Sequence, residues 1–138
     1  MKIDEFFRTY VEPFETCDYH WEQDKGFIVW RLGTGLNIEL LHIRAFAVRK
    51  GYGRYLVYRM LEALQRSPPY YSIFGFTRLS NTRAASFYSS LGFNLQHIQG
   101  LYRDGATVMF WQSYDELMKQ KEIYEDSIRG KALPVFIE

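Results

Sequence analysis

Val48-Arg49-Lys50-Gly51-Tyr52-Gly53-Arg54 is the stretch at which the apolar pattern of this chain changes period. Before it, Leu36 to Ile43 has the composition of a half-buried strand, whose successive side chains point to opposite faces. After it, Leu56, Val57, Met60, Leu61 and Leu64 fall on one side of a helix, which Pro68-Pro69 would stop because proline lacks the N–H a helix needs. Tyr70 to Arg78 is rich in aromatic and β-branched residues and reads as the next strand. A helix between two strands lets them pair in parallel as a crossover, so their carboxyl ends point the same way.

Outward from this unit the chain is antiparallel in character. Tyr19 to Gln23 and Gly26 to Leu32 precede Leu36 to Ile43, with Asp24-Lys25-Gly26 and Gly33-Thr34-Gly35 as turns, which predicts a meander. Asp4 is placed to cap a short first helix carrying Phe6, Phe7, Tyr10 and Val11, ended by Pro13. On the other side, Asn81 to Leu91 predicts a helix with Ala84, Phe87, Tyr88 and Leu91 on one face and Gly92 as its stop. Phe93 to Leu101 and Ala106 to Trp111 predict a hairpin about Arg103-Asp104-Gly105. Ser113 and Glu116 have capping-box spacing for a last helix through about Asp126, followed by an apolar tail from Leu133 to Ile137.

Composition bounds what such a chain can be. Its 138 residues fit one domain, 1–138, and 47% hydrophobic residues suffice for a core. A formal charge of +1 excludes a wholly basic nucleic-acid or anionic-membrane surface, and 18% aromatic residues are accounted for by core strands. Cys17 is the sole cysteine, so neither an intrachain disulfide nor a thiolate-rich metal site is expected. The amino terminus lacks the apolar stretch of a signal peptide, and no apolar run reaches the ~18 residues of a membrane span, which makes the cytoplasm the expected compartment.

The loop at 48–54 has chemistry as well as geometry. Where a strand hands over to a helix, successive backbone N–H groups converge with the positive end of the helix dipole, and glycines let an anion approach. Each dipole contribution is about 0.3–1 kcal/mol, so Arg49, Lys50 and Arg54 are needed to hold a diphosphate in water. The loop lacks the Gly-Lys-Ser/Thr ending of a nucleotide P-loop and the third glycine of a dinucleotide fingerprint, which disfavours ATP, GTP and NAD.

Asn81-Thr82-Arg83-Ala84-Ala85-Ser86-Phe87-Tyr88, followed by Leu91-Gly92-Phe93, supplies the second motif. Singly, Asn81 reads as a cap, Tyr88 as a core aromatic and Gly92 as a helix stop. Together with Gly51-Tyr52-Gly53 they resemble the GNAT superfamily of N-acetyltransferases, whose motifs are Gln/Arg-x-x-Gly-x-Gly/Ala and Asn-x-x-Ala-x-x-Phe-Tyr with a following Leu-Gly-Phe. The resemblance runs from about Tyr19 to Trp111. It implies an α/β (α+β type) fold with a mixed, mostly antiparallel twisted sheet, helices on both faces, and a central crossover splayed to admit acetyl-CoA.

The resemblance also implies roles. The pantetheine arm would lie against Leu41, Ile43, Arg44 and Ala45, because an exposed strand edge offers unpaired N–H and C=O groups. Val48, Arg49, Lys50, Gly51, Tyr52, Gly53 and Arg54 would cradle the pyrophosphate, with Asn81 and Ala84 beside the pantetheine and Tyr88 at the thioester sulfur. A tyrosine of pKa about 10 is matched to an alkyl thiol and can protonate it as it leaves. A backbone N–H near Ile43 would stabilise the oxyanion. Glu39 is the preferred base for the acceptor amine and His42 the alternative; strict alternation sets them on opposite faces.

Two departures limit what is carried over. Val48 replaces the usual Gln or Arg, which removes one polar group but no backbone donor. Phe76 stands where some protein N-terminal acetyltransferases carry a base glutamate, so that mechanism does not transfer. The segment before the loop has room for one helix where the superfamily commonly has two, leaving an acceptor side that is open or closed by the 133–137 tail of a second subunit in a homodimer. The expected activity is acetyl transfer from acetyl-CoA to an amine on a small molecule or protein, without metal; the alternative is a non-catalytic CoA- or protein-binding module of the same fold.

Overall fold

The computed structural model describes residues 2–10, 17–47, 50–65, 69–99 and 106–132, the side chains of residues 3, 4, 10 and 130–132 excepted. Its elements run α1 (Ile3–Tyr10), β1 (Asp18–Glu22), β2 (Gly26–Leu32), β3 (Asn37–Ala45), α2 (Tyr52–Leu64), β4 (Ser72–Arg78), α3 (Thr82–Ser90), β5 (Asn94–Ile98), β6 (Thr107–Ser113) and α4 (Tyr114–Ala132). They form one mixed six-stranded sheet in the order β1-β2-β3-β4-β6-β5. β3 and β4 are the parallel pair and every other pairing is antiparallel, as the strand-helix-strand reading requires. The β5–β6 hairpin docks through its second strand, which the sequence does not specify.

Most elements fall where the pattern puts them, with shifted ends. α1 begins at Ile3, so Asp4 lies inside the first turn rather than at the cap. α4 runs to Ala132, beyond the expected end near Asp126; its start follows the expected motif, with the Glu116 N–H donating to Ser113 Oγ at 3.1 Å. α3 ends in a Schellman arrangement: Phe93 N–H donates to Tyr88 O and Gly92 N–H to Ser89 O. Val11, Pro13, Pro68, the Arg103-Asp104-Gly105 turn and the tail from Leu133 to Ile137 lie outside the described residues.

The parallel ladder is short. It consists of Asn37 with Ser72, Ile38 with Ile73 and Glu39 with Phe74, and there the two strands part. The cause is visible on the other edge of β3: Trp30 pairs with Leu40 but Val29 with His42, so Leu41 is an extra residue, a β-bulge. Bulges bend the strand that carries them, and this one turns the end of β3 away from β4. The outcome is the fork that the resemblance implies.

The sheet has two unlike faces. Ile28, Trp30, Leu40, Ile73 and Phe110 point toward α2, α3 and α4 and form the main core with Leu56, Met60, Leu61 and Leu117. Each such side chain, wholly buried, contributes about 1.5–3 kcal/mol relative to exposure. On the opposite face α1 lays Phe7 against Phe27, Trp21 and Tyr19, a smaller aromatic cluster. α4 is tied to α2 by Lys121 Nζ, which reaches Glu125 at 2.8 Å and Glu62 at 3.6 Å, and by the Tyr114 hydroxyl donating to Leu61 O.

Candidate functional site

The amino end of α2 rests on two glycines with different duties. Gly51 takes the cap position with φ +76°, a left-handed conformation that a side chain resists, and a Cβ there would meet no atom within 4 Å. Gly51 has no side chain with which to cap the helix, and the first turn carries no acidic residue, an arrangement that favours an outside acceptor for the first backbone N–H groups. Gly53 is required for a different reason: a Cβ on it would stand 2.8 Å from the ring of Phe87, so α2 and α3 meet there only because position 53 has none. Lys50 is exposed beside this mouth. Val48 and Arg49 lie outside the described residues.

Arg54 is held between α2 and α4. Its Nη1 donates to the Tyr58 hydroxyl at 3.1 Å and its guanidinium lies 4.3 Å over the Tyr124 ring of α4. It lines a cavity of about 570 Å³ that opens at Lys50, Gly51 and Tyr52 and runs outside α2 toward α4. Lys25 lies over the rings of Tyr52 and Tyr55 in the same wall. Tyr55 in turn donates to Glu22 Oε1 at 2.7 Å and tethers α2 to β1. Burial pushes the Glu22 carboxyl up, but hydrogen bonds from His20 and Tyr55 and the charges of His20 and Lys25 outweigh it and hold the group below the usual carboxylate value. This cavity does not extend to the fork or to Tyr88.

Tyr88 lies under the fork on the α2 side. It is buried and stacked on Phe110 with ring centroids 3.7 Å apart, while Phe87 and Phe93 meet it edge-on. Phe110 keeps that place through Gly75, its register partner on β4. A Cβ on Gly75 would strike the Phe110 ring at 2.2 Å and the Leu40 carbonyl at 2.8 Å. Gly75 and Phe110 are thus supports for Tyr88 that pattern reading missed; a glycine inside an otherwise aromatic strand was the available signal. Asn81 caps α3, its Oδ1 accepting from Ala84 N–H at 3.0 Å, and Ala84 packs partly into the core behind it.

Glu39 and His42 require a correction. Alternation expects them on opposite faces, but the bulge at Leu41 inserts one residue between them, and register sets both on the α1 face, Glu39 opposite Arg31 and His42 opposite Val29. Glu39 is engaged: Arg31 Nε and Nη2 both donate to its Oε1 at 3.0 and 2.9 Å. His42 is exposed with its ring edge-on to Phe6 at 5.4 Å. Desolvation and the neighbouring Arg44 charge hold its imidazole below its ordinary value, so it is neutral at pH 7. Leu41 packs partly buried toward α1, and Ile43 partly against the main core, so the two line the end of β3 on different faces. Arg44 and Ala45 complete that end, Arg44 with its guanidinium 5.0 Å over the Phe6 ring.

The fork therefore has chemically different sides. Tyr88 stands on one face of the sheet, while Glu39 and His42 stand on the other. Among the described residues, no group of His, Cys, Asp and Glu is arranged to hold a metal, and no helix is long and apolar enough to cross a membrane.

Known proteins share this architecture. The ribosomal-protein-S18-alanine N-acetyltransferase of Escherichia coli superposes with a TM-score of 0.57 at 20% identity, over 73% of this chain and 71% of that one. A Bacillus subtilis acetyltransferase solved in complex with CoA gives 0.58 at 20% identity, over 79% and 82%. Mutant forms of the spermidine/spermine N-acetyltransferase SpeG of Vibrio cholerae give 0.63 at 14% identity, over 86% and 76%. No curated protein matches the chain in sequence. Residues 28–103, from the middle of β2 through both glycine-bearing motifs, match the FR47-like protein family. With more than half its length in that match and the GNAT acetyltransferase fold around it, the chain belongs to the FR47-like family.

Proposed function

We propose that the protein transfers an acetyl group from acetyl-CoA to a primary amine. The observation that carries this reading is the fork itself: two parallel strands part after three register pairs, an uncapped helix mouth lies at one end, and Tyr88 lies beneath. The parted edge of β3 near Leu41, Ile43, Arg44 and Ala45 has backbone groups for the amide-bearing pantetheine arm. Lys50, Gly51, Tyr52, Gly53 and Arg54, with Val48 and Arg49, bind the diphosphate, and the cavity between α2 and α4 receives the nucleotide beyond it.

Bound acetyl-CoA supplies an activated acyl carbonyl and a thiol leaving group. On the α1 face, neutral His42 accepts a proton from the attacking amine, directly or through water, with Glu39 the second candidate. On the α2 face, Tyr88 donates its proton to the departing sulfur, so the proton gained on one side of the sheet is matched by one given on the other. Asn81 holds the pantetheine arm with the part of its side chain not engaged in capping.

Titration calorimetry with acetyl-CoA tests the reading. Micromolar binding is expected for the wild type and its loss for a Gly51→Glu, Gly53→Glu variant shown to be folded. Absence of wild-type binding would remove the proposal's main support.

A further inference from the structure

We propose that the acceptor is a small amine bearing one apolar, ring-sized group and no second positive charge, seated on Phe74, Phe76, Met109 and Trp111. This rests on the acetyl-transfer reading and adds what that reading leaves open, the chemistry of the acceptor. Register places the four side chains together on the α1 face: Phe74 is opposite Trp111, Phe76 opposite Met109, and Phe74 is also the partner of Glu39 at the last rung before the fork. A substrate on this patch is therefore on the same face as Glu39 and His42.

The patch is apolar, open and small. Trp111 is 39% exposed, and Phe74, Phe76 and Met109 are half-buried on a face where a soluble sheet ordinarily places polar residues. Among the described residues no helix covers it, since α1 packs on β1 to β3 while α2, α3 and α4 pack on the opposite face. Two residues along a strand and two strands across span roughly 7 by 5 Å between Cα atoms, the footprint of one aromatic ring rather than of an extended peptide. The rings of Phe74 and Phe76 already meet edge-on at 5.9 Å, an arrangement that a further ring can join.

Charge narrows the class further. The charged strand residues on this face are Arg31, Arg44, Arg78 and Glu39, and Glu39 is already bound by Arg31. A polyamine needs carboxylates for its distal nitrogens and would meet guanidinium groups instead. An arylalkylamine needs only apolar contact beyond its reacting nitrogen.

The test is steady-state thiol release by the full chain with acetyl-CoA and phenethylamine, ethylamine or spermidine. We expect kcat/KM for phenethylamine to exceed that for each of the others by about tenfold or more, the discrimination one buried ring supplies. Trp111→Ser should shrink the phenethylamine-to-ethylamine ratio toward one, mainly through KM, and Phe76→Glu should move preference toward spermidine. Spermidine turned over as well as phenethylamine, or a Trp111→Ser enzyme with its ratio intact, overturns the inference while leaving acetyl transfer standing. If acetyl-CoA binds and no amine reacts, acetyl transfer fails and the acceptor assignment with it.

Discussion

Gly53 and Phe87 interlock: the ring of one occupies the space where the other would carry a Cβ, at 2.8 Å. The contact joins the mouth of α2 to the face of α3, and so links the glycine loop to the helix that carries Tyr88. Gly53→Ala should lower stability by about 1 kcal/mol, a Tm loss of roughly 3–5 °C, and weaken acetyl-CoA binding. Phe87→Leu in the same chain should restore part of both. Calorimetry and thermal unfolding of the two single variants and the double variant give the coupling; additive effects would refute it.

Tyr88→Phe keeps the stack on Phe110 and removes only the hydroxyl. A loss of about 100-fold in kcat with acetyl-CoA affinity nearly unchanged is expected, since proton donation of this kind contributes at least that much. Unchanged turnover would remove Tyr88 from the chemistry.

Gly75→Ala should be the most disruptive small substitution on β4. The new methyl has nowhere to go between the Phe110 ring and the Leu40 carbonyl, and an overpacked core typically costs about 1–3 kcal/mol. Because Phe110 supports Tyr88, kcat should fall along with Tm; an active enzyme with only a lower Tm would separate the two.

His42 has a defined pH signature. Its folded value is depressed by desolvation and by Arg44, with Phe6 packed on its ring and the Arg31–Glu39 pair on the same face. Below about pH 6.5 the unfolded imidazole binds a proton that the folded one resists. Its contribution to stability is thus intact above that pH and is lost as pH falls through the folded value. As base, it should give kcat/KM an acid limb lying below pH 6.5. His42→Gln should abolish that limb and lower turnover, whereas Glu39→Gln should alter it little; the reverse pattern would return the role to Glu39.

Tyr124→Ala should weaken CoA by several-fold while leaving S-acetylpantetheine, which lacks the nucleotide, unaffected. The substitution removes the ring beneath Arg54 in the cavity outside α2. Equal losses for both ligands would place the nucleotide elsewhere.

The strand-helix-strand unit and the amphipathic face of α2 were legible because periodicity and glycine placement report local geometry. Ser113 and Glu116 announced the start of α4 in the same way. The fork was legible only through resemblance, since nothing in Leu40-Leu41-His42 marks a bulge. That single inserted residue reversed the expected relation of Glu39 to His42, as period-two reasoning must fail wherever one residue is added. The Arg31 partner of Glu39 and the Tyr124 ring under Arg54 are tertiary, and spacing along the chain does not reveal them, whereas the Asn81 cap is local and was legible.

Three rungs of parallel ladder leave the sheet as two smaller sheets joined at one end. Past Glu39 and Phe74 the facing edges do not share a register, so on that stretch β3 stays paired to β2 while the amide hydrogens on its β4-facing edge exchange without a partner strand to slow them. A cofactor arm laid between the edges would act as a seventh strand. Deuterium uptake from Leu40 to Ala45 would then report occupancy directly, and the folded state of this protein would be one whose sheet is finished only while it is at work.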